Sequence, residues 1–420
     1  MGADRRGGRM MRESNGKLPL PSSAPGQKVP GSLSHAQPAA PRHWWIVSPL
    51  VRFLVLLLPV LGLAVLVSLL PRLIDSGEET EPAPVIVPTV LGPAEAALEE
   101  EIAALAAGFD GEAGLAVQDV ATGRILHAQG DALYPQQSVS KFWVALAALN
   151  EADEGRFDLS ETVTLRREDL TLFHQPIREI VRTQGRFDTD YGDLFDRALT
   201  RSDNTANDRI LRRIGGPETV QEFIDDADLA GIRFGTDERT KQSGIAGLRW
   251  NQAYSMGRGF YDARDSLPDA VRRDRFEAYL ADPVDGASPI AMAHALGQLA
   301  RGELLSSVST ELLLSTLEQT RSGPRRLKGG VPPGWTIAHK TGTGQEYGGE
   351  QSGYNDIGIV TSPAGHEYAV VAMIRRTGAP VPARMEMMQE LVRAVVRYDE
   401  AAYPPPAGAK PVSGVVTTEP

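Results

Sequence analysis

The 420-residue chain contains no cysteine. That absence excludes a disulfide framework, a thiolate nucleophile and a cysteine-ligated zinc site. The chain has only 7 histidines, and they form no H-E-x-x-H or other spacing typical of a metal site. The sequence therefore predicts no metal and no other cofactor.

Basic residues are in the minority, with 43 lysines and arginines against 54 aspartates and glutamates and a formal net charge of -11. Binding to a phosphate backbone needs a basic face, so nucleic acid is not expected as a partner. With 42% apolar and 23% charged residues, the composition is otherwise that of a globular protein with a sizeable core.

A long uncharged hydrophobic run, FLVLLLPVLGLAVLVSLL, occupies residues 53–70. It is long enough to cross a bilayer, and Trp44 and Trp45 precede it where an interfacial aromatic belt would lie. The charged residues before it are mostly basic, so the positive-inside rule places the N-terminus in the cytoplasm. We therefore predict a single-pass membrane protein with an extracytoplasmic, periplasmic catalytic part. The alternative is a signal peptide that is cleaved to give a secreted protein.

Composition also divides the chain into segments. Residues 1–43 are predicted to be a disordered basic cytoplasmic tail, residues 44–72 the transmembrane anchor, residues 73–93 an acidic proline-rich linker and residues 404–420 a disordered tail. All of the chemistry is expected in residues 94–403, which we predict to form one catalytic domain, expected to be monomeric.

Hydrophobic periodicity predicts an α+β fold for that domain. AEAALEEEIAALAAGF has a helical pattern, and GLAVQDVATGRILHAQGD contains two apolar runs that indicate a β-hairpin. Near the other end, GWTIAHKTGTG and NDIGIVTSPAGHEYAVVAMI predict three further strands, and MEMMQELVRAVVRYDEAAY predicts a closing helix. Strands at both ends of a helix-rich middle predict one antiparallel sheet flanked by helices, with an inserted all-helical subdomain and the site in the seam between them.

Three short motifs point to one acyl-transfer site: SVSK at residues 138–141, SDN at 202–204 and KTG at 340–342. Ser138 and Lys141 lie one helical turn apart beside the apolar run FWVALAAL, so a nucleophile would stand next to a possible base. Each motif alone is weak, because SDN is also typical of a helix cap and a helical serine is usually a packing residue. Their order and separation together predict a shared site.

In these motifs the chain resembles the class A β-lactamase family and, more broadly, the penicillin-recognising serine hydrolases, whose signature set is S-x-x-K, S-D-N and K-T-G. The strings SDNTAND, ASPIAMAHALGQLARGELLS and GPRRLKGGVPPGWTIAHKTGTG extend the resemblance over about residues 94–403. It implies the β-lactamase/transpeptidase-like fold, an antiparallel sheet with helices on both sides beside an all-helical half. It also implies a hydrolase that acts on small β-lactam molecules.

The resemblance implies a role for each motif residue. Ser138 would attack the lactam carbonyl, Lys141 would accept its proton or orient it, and Ser202 would relay a proton toward the leaving nitrogen. The backbone N–H groups of Ser138 and Thr343 would form the oxyanion hole. The resemblance also implies six substrate-binding residues. They would contact the amide side chain of the substrate, its carboxylate or the part of it that lies along the strand, and they are Asn204, Lys340, Thr341, Gly342, Thr343 and Arg326. For the carboxylate, Arg325 is an equally charged competitor of Arg326.

Turnover needs an activated water, which the family holds with a loop glutamate and an asparagine four positions later. Glu238 lies at about the family's position, and Gln242 replaces the asparagine. Glutamine makes the same hydrogen bonds from a longer stem, so we predict Glu238 as the catalytic base of deacylation. A rival alignment places Trp250 and Asn251 in the loop, with Gly247 where the glutamate should be, and would leave the site without this base.

The stretch at residues 247–286 is much longer than the usual family loop and carries several aromatics and arginines. It is either an extra surface helix pair or a lid that alters substrate choice. His339, directly before Lys340, either tunes that lysine or is an ordinary strand residue.

The predicted function is hydrolysis of the β-lactam ring of penicillin- or cephalosporin-type antibiotics through an acyl-enzyme on Ser138, a reaction of antibiotic resistance and β-lactam catabolism. The runner-up is a penicillin-binding, D-Ala-D-Ala peptidase-like protein that is acylated but not efficiently deacylated. A third hypothesis is an inactive relative used as a binding module, which the intact Ser138, Lys141 and Lys340 disfavour.

Overall fold

The computed structural model describes residues 90–404. The predicted cytoplasmic tail, the membrane anchor and nearly all of the linker and of the C-terminal tail lie outside the described residues. Between residues 90 and 404, no helix combines the length and the apolar character that a bilayer crossing requires.

A six-stranded antiparallel sheet forms the centre of the fold. Its strands come from both ends of the described chain, as predicted: β1 (Glu112–Asp119), β2 (Ile125–Ala128), β7 (Thr336–Thr343), β8 (Glu346–Tyr347), β9 (Glu350–Thr361) and β10 (Glu367–Thr377). They follow the order β2-β1-β10-β9-β7, and β8 pairs with β9. The predicted hairpin and the three predicted late strands are all part of this sheet.

Both faces of the sheet are buried. Consecutive residues of a strand point to opposite faces, so Leu115 and Val117 of β1 enter one core while Ala116 enters the other. The first core is closed by two helices from the chain ends, α1 (Pro93–Gly108) and α12 (Val381–Ala402). In α1 the buried residues Leu98 and Ile102 recur at helical spacing, as the sequence pattern predicts.

The helical half covers the other face, and α2 (Lys141–Asp153) runs through its middle. Every residue from Lys141 to Leu149 is buried. The sequence KFWVALAAL offers no polar face, and a helix that is apolar all round is stable only inside a core. This burial fixes the helix that begins at Lys141, the last residue of the first motif.

The remaining helices of the described residues are α3 (Ile177–Gln184), α4 (Tyr191–Thr200), α5 (Asn204–Arg213), α6 (Pro217–Asp226), α7 (Glu238–Ile245), α8 (Gly259–Asp265), α9 (Asp269–Ala281), α10 (Pro289–Ala300) and α11 (Ser307–Glu318). Two small antiparallel ladders pair β3 (Tyr134–Pro135) with β6 (Gly286–Ala287) and β4 (Thr162–Leu165) with β5 (Phe187–Asp190). The β3–β6 ladder joins the segment before Ser138 to the end of the long insertion.

Candidate active site

The predicted nucleophile Ser138 lies in the 3-10 turn Gln137–Ser140, directly before α2. Lys141 is the first residue of α2, and its Nζ donates to Ser138 Oγ over 2.8 Å. The serine and lysine therefore meet as predicted, although the serine precedes the α-helix instead of lying within it. Gln137 has a φ of 55°, in the left-handed region that a non-glycine residue adopts at a cost. The chain is strained directly before the nucleophile.

Lys141 links Ser138 to the predicted base. Its Nζ lies 3.3 Å from Glu238 Oε1, and only 1% of Lys141 and 3% of Glu238 are exposed. Burial lowers the pKa of Lys141 below its ordinary value, against the opposing effect of the Glu238 charge. A lysine in this environment loses its proton more readily than one in water and is then able to act as a base.

Glu238 is the first residue of α7, and Asp237 caps that helix. Its Oε1 is shared by Lys141 Nζ at 3.3 Å and Lys241 Nζ at 3.2 Å, and its Oε2 accepts from Gln242 Nε2 over 3.1 Å. Burial acts to raise the pKa of Glu238, but the charges of the two lysines outweigh it and lower that pKa to about 2. The residue predicted as base and the glutamine predicted beside it are in direct contact.

Lys241 was not predicted, although it belongs to the same cluster. Its Nζ lies 3.3 Å from Asp285 Oδ2 and also donates to Ser140 Oγ over 3.1 Å and to the Gln137 carbonyl over 3.3 Å. Burial acts to lower the pKa of Lys241, but the charges of Glu238 and Asp285 raise it above its ordinary value, so the side chain stays a cation. Its spacing of three from Glu238 indicates a shared helix face, whereas the sequence carries no comparable signal for Asp285.

The second and third motifs also meet. Lys340 Nζ donates to Ser202 Oγ over 3.0 Å and to the Thr341 carbonyl over 3.0 Å. Burial, followed by the charge of Lys141, holds the pKa of Lys340 well below its ordinary value. Ser202 has a φ of 58°, so it too occupies the strained left-handed region.

The KTG strand β7 packs directly on the nucleophile turn at Gly342. A Cβ at this position would lie 2.4 Å from the Gln136 carbonyl oxygen, so only glycine fits. Arg326 Nη1 donates to the Gly342 carbonyl over 2.9 Å, and its Nη2 donates to Thr343 Oγ1 over 2.5 Å. Thr341 Oγ1 is hydrogen-bonded to Ser322 Oγ at 2.7 Å.

Arg326, which the resemblance predicts to bind the substrate carboxylate, therefore supports strand β7 in this structure. It is 7% exposed and also stacks on the ring of Tyr354, with its guanidinium carbon 3.7 Å from the ring centroid. Its competitor Arg325 is exposed at the surface. Because Arg326 donates into the oxygen of Thr343, the Thr343 hydroxyl keeps its own hydrogen for another acceptor.

Asn204 begins α5, next to Asp203, whose carboxylate caps the helix. Its Nδ2 donates to the Leu172 carbonyl over 2.9 Å, while its Oδ1 is buried without a hydrogen-bond partner in the part of the chain that the structure describes. A buried amide oxygen without a partner marks a place where a ligand donor gains a hydrogen bond.

One cavity of about 500 Å³ joins these elements. Ser138, Asn204 and Thr343 line it together with Phe173, whose φ of 56° is another strained value. The larger cavity of about 620 Å³, between α2 and α6, contains none of the predicted residues. In residues 90–404 no group of His, Cys, Asp and Glu is arranged to hold a metal ion.

The long insertion forms the far wall of the 500 Å³ cavity. It contains the helices α8 and α9, so the prediction of an extra helix pair is correct as far as the elements go. Tyr261, Arg264 and Arg272 from these helices line the cavity that Ser138 also lines. The insertion is therefore more than a surface addition, because it contributes side chains to the site.

The rival alignment does not fit the geometry. Asn251 caps the 3-10 turn Gln252–Ser255 through its Oδ1, and Trp250 packs edge-on against Tyr254 with their ring centroids 6.2 Å apart. Glu238, in contrast, contacts Lys141. His339 is fully buried and its Nδ1 lies 2.9 Å from Asp356 Oδ1, a position in keeping with a strand residue.

Comparison with known proteins gives one consistent result. Residues 97–398 match the model described as the Beta-lactamase enzyme family. The chain is 25% identical over 274 residues to beta-lactamase VEB-1 of Pseudomonas aeruginosa, covering 65% of this chain and 80% of VEB-1. It is 27% identical over 306 residues to beta-lactamase FAR-1 of Nocardia farcinica, covering 70% of this chain and 81% of FAR-1.

The fold is shared with solved structures. A class A beta-lactamase from Bacteroides cellulosilyticus superposes with a TM-score of 0.60 at 18% identity, covering 74% of this chain and all of the other. The predicted family and the predicted α+β fold are both confirmed by these matches.

Proposed function

Because the chain belongs to the beta-lactamase enzyme family, we propose that it is a serine β-lactamase that opens the ring of penicillin- or cephalosporin-type molecules through an acyl-enzyme on Ser138. One observation carries the proposal: a continuous series of contacts runs from Ser138 Oγ through Lys141 Nζ to Glu238 Oε1, over 2.8 and 3.3 Å. This arrangement would supply a nucleophile, a lysine beside it as proton acceptor, and a carboxylate as the second base.

Acylation begins at Ser138. Its Oγ bonds to the lactam carbonyl carbon while its proton passes to the neutral Lys141 amine. The carbonyl oxygen gains negative charge, which the backbone N–H groups of Ser138 and Thr343 are proposed to stabilise. Both residues line the same cavity, which supports this role.

The C–N bond of the lactam then breaks, and the departing nitrogen takes a proton. Ser202 is proposed to donate it, and Lys340, whose Nζ donates to Ser202 Oγ over 3.0 Å, replaces it. Lys340 and the hydroxyls of Thr341 and Thr343 are proposed to bind the substrate carboxylate, with Arg326 orienting Thr343. Asn204 is proposed to meet the substrate amide with its unpartnered Oδ1.

Deacylation requires a water that attacks the ester carbon and gives a proton to Glu238, after which Ser138 leaves with its proton restored. Gln242, which donates to Glu238 Oε2, lines the cavity beside Ser138 and is proposed to orient that water. Each carboxylate oxygen accepts more than one hydrogen bond, so the existing contacts leave capacity for the water.

A penicillin-binding, D-Ala-D-Ala peptidase-like protein is the second candidate, and one observation favours it. Glu238 Oε1 already lies 3.3 Å from Lys141 Nζ and 3.2 Å from Lys241 Nζ, and the charges of these lysines lower the pKa of Glu238 and make it a weaker proton acceptor. A weak base slows the water step and leaves the acylation step largely unaffected. In that case the protein would be acylated by β-lactams and remain blocked.

Incubation of the purified full-length chain with a chromogenic cephalosporin separates the two candidates. Colour development and intact mass are followed in the same sample. Steady colour release with little adduct supports hydrolysis. A stable mass adduct on Ser138 without turnover contradicts the β-lactamase proposal and supports the second candidate.

Glu238→Gln tests the base directly. The amide cannot accept the water proton, so we expect deacylation to slow by about 10²–10⁴-fold while acylation of Ser138 continues and the adduct accumulates. Glu346→Gln is the matched control, because Glu346 is an exposed carboxylate of the same cavity, whereas the side-chain hydrogen bonds of Lys141 go to Ser138 and Glu238. Unchanged turnover in Glu238→Gln would move the base role to another residue.

The cellular location stays a proposal derived from the hydrophobic run at residues 53–70 and the basic residues before it. We propose an uncleaved anchor with the catalytic domain outside the cytoplasm. Mass analysis of the N-terminus after expression tests it, because an intact N-terminus supports the anchor and a new N-terminus after the run supports cleavage to a secreted form.

A further inference from the structure

Two lysine side chains converge on one carboxylate oxygen inside the site. Lys141 Nζ and Lys241 Nζ lie 3.3 and 3.2 Å from Glu238 Oε1, and both lysines are almost completely buried. Lys241 has a second counter-charge, since its Nζ also lies 3.3 Å from Asp285 Oδ2. Buried charges persist only when they are paired, so Lys241 divides its charge between two carboxylates.

The titratable groups around this cluster come from several elements. Asp237 belongs to the start of α7, Asp208 to α5, Tyr279 to α9 and Lys340 to β7. Tyr279 donates to Asp285 Oδ1 over 2.8 Å, which fixes the carboxylate that faces Lys241. Lys241 is the cation of this set that contacts both Glu238 and Asp285.

An ionised Glu238 at 3.3 Å favours the charged form of Lys141, which has no lone pair to receive a proton. We propose that Lys241 is a positioning residue that neutralises Glu238, so that Glu238 stays ionised while Lys141 is free to lose its proton and serve as the acylation base. This role rests on the proposed acyl chemistry at Ser138. Lys241 acts on Ser138 only indirectly in this proposal, because its Nζ contacts Glu238 and the backbone of the nucleophile turn.

The test is the pH dependence of acylation, measured as single-turnover labelling of the full-length chain by a fluorescent penicillin. Removing the cation in Lys241→Met should move the acidic limb of the profile to higher pH, with about a tenfold loss of rate at a fixed pH on that limb. Lys241→Arg, which keeps the charge, should restore the position of the limb. An equal loss at every pH, or no change, would overturn the proposal.

Asp285→Asn provides a second, independent variant with the opposite expectation. It leaves Lys241 with one counter-charge, so the cluster becomes more positive and the acidic limb should move to lower pH. A purely structural role would not move the limb in opposite directions in the two variants. If the wild-type chain is not labelled at all, the proposed acyl chemistry fails; labelling with unmoved limbs overturns the role of Lys241 alone.

A second inference comes from a different observation, on the wall that the insertion forms. Arg264 is paired with Asp265 at 3.2 Å, but Arg272 has no carboxylate within ion-pair distance in the described part of the chain, and its Nε is buried without a partner. The Arg272 guanidinium carbon lies 5.5 Å from the centroid of the Tyr347 ring. The Tyr347 hydroxyl is held by Asp269 Oδ1 at 2.9 Å, so the ring is fixed.

Stacking on an aromatic ring uses the face of a guanidinium and leaves its N–H donors at the edge available. Arg272 lines the cavity that contains Ser138, together with Tyr261 and Phe173, and the exposed Glu346 is a carboxylate in this lining. We infer that Arg272 forms a subsite for a carboxylate carried on the acyl side chain of the substrate. This inference also rests on the proposed function.

Benzylpenicillin and carbenicillin test it, because they differ by one carboxylate on that side chain. In Arg272→Gln the ratio of kcat/KM for carbenicillin to that for benzylpenicillin should fall about tenfold, as expected for the loss of one charge-assisted hydrogen bond. Arg273→Gln is the matched control, since Arg273 is exposed on the same helix and paired with Asp269 at 2.8 Å.

A ratio that does not change in Arg272→Gln, or that changes equally in Arg273→Gln, would overturn the subsite. General damage to folding lowers both rates together and leaves the ratio intact. If neither penicillin acylates the wild-type chain, the result contradicts the proposed function itself and not only the subsite.

Discussion

At Asp208 the site holds a carboxyl group in surroundings that favour its protonated form. Asp208 is fully buried, its Oδ1 accepts the Glu238 N–H over 3.1 Å, and its Oδ2 has no partner among residues 90–404. Burial, followed by the charges of Asp237 and Glu238, raises the pKa of Asp208 from 3.8 to about 7. This group therefore works against folding once the pH exceeds the pKa that it has in the unfolded chain.

Asp208→Asn should reduce the loss of folding stability that occurs as the pH rises from acidic to neutral. Between about pH 4 and pH 7 the folded wild type keeps a proton on Asp208 that the unfolded chain has released, so stability falls as pH rises. From pH 5 to pH 8 this loss is about 3 kcal/mol at 1.36 kcal/mol per pKa unit. Urea unfolding at the two pH values measures it, and the variant should lose less.

Asp274→Asn serves as the control because Asp274 is exposed. The opposite shift of Glu238 does not interfere. Its pKa is lowered from 4.5 to about 2, so its contribution is present above pH 4.5 and is lost only as the pH falls below that. An Asn variant that loses as much stability as the wild type between pH 5 and pH 8 would show that Asp208 does not titrate there.

Single residues differ in how far the sequence reveals them. Ser138, Lys141 and Lys340 belong to short motifs, and the structure brings them to one place. Lys241 and Asp285 belong to no motif, and what they do depends on a contact between segments that are distant in the chain. A pattern of neighbours along the chain carries no information on such a pair.

At the scale of elements, the contact between β7 and the nucleophile turn holds the site together. Gly342 packs against the backbone of the turn, and its neighbour Thr343 lines the cavity that Ser138 also lines. The strand is nearly all buried, so it has little freedom to move aside. The position of β7 is therefore set by the absence of a side chain at one residue.

Gly342→Ala should separate β7 from the turn. The added Cβ would lie 2.4 Å from the Gln136 carbonyl oxygen and 3.1 Å from the Val139 nitrogen, both of them backbone atoms that cannot rotate away. We expect acylation to slow at least about tenfold, since a displacement of about 1 Å is enough for such a loss. Single-turnover labelling of Ser138 measures it, together with the melting temperature.

Gly244→Ala is the counterpart, because a Cβ there meets nothing within 4 Å and the residue lies in α7. That change should stabilise the helix by about 0.5–1 kcal/mol and leave acylation as it is. A Gly342→Ala variant that is acylated at the wild-type rate would mean that the strand and the turn adjust without cost.

Helices and strands were predicted more completely than their packing. The periodicity of α1 and α12 and the strand patterns agree with the structure, because burial on one side repeats along the chain. The insertion had two interpretations because periodicity shows that α8 and α9 are helices but not what they face. Their place beside Ser138 depends on the β3–β6 ladder, which is too short to leave a pattern.

At the scale of the whole molecule, two cores share the sheet as a common wall. One core includes α2 and the site, and the other includes α1 and α12. Damage to the core that is distant from the site should therefore destabilise the whole domain, because the sheet cannot unfold on one face only.

Leu391→Ala should lower the free energy of unfolding by about 2–5 kcal/mol, since Leu391 is fully buried in the core of α1 and α12. The variant should keep the wild-type rate of acylation per folded molecule, because no site residue lies in that core. Val308→Ala, at a side chain that is 75% exposed, should change stability by less than about 0.5 kcal/mol. A separate unfolding step for each core would contradict a single cooperative unit.

The fold class and the grouping of the motifs were predictable because both follow from patterns that the sequence displays directly. The topology of the sheet was predictable only in outline, from strands at both ends of the catalytic region. Its strand order results from long-range pairing, such as that of Val117 with Val370, which no local pattern specifies.

That pairing has a consequence for how the protein folds during its synthesis. During synthesis from the N-terminus, Ser138 and α2 leave the ribosome while β9 and β10 have not yet been made. Strand β1 pairs early with its neighbour β2, but it gains its second partner only when β10 arrives, and such long-range closure is slow. Lys340 and Gly342 also join Ser138 only at this late stage. An unfinished chain therefore contains Ser138 without the strand β7 that completes the site.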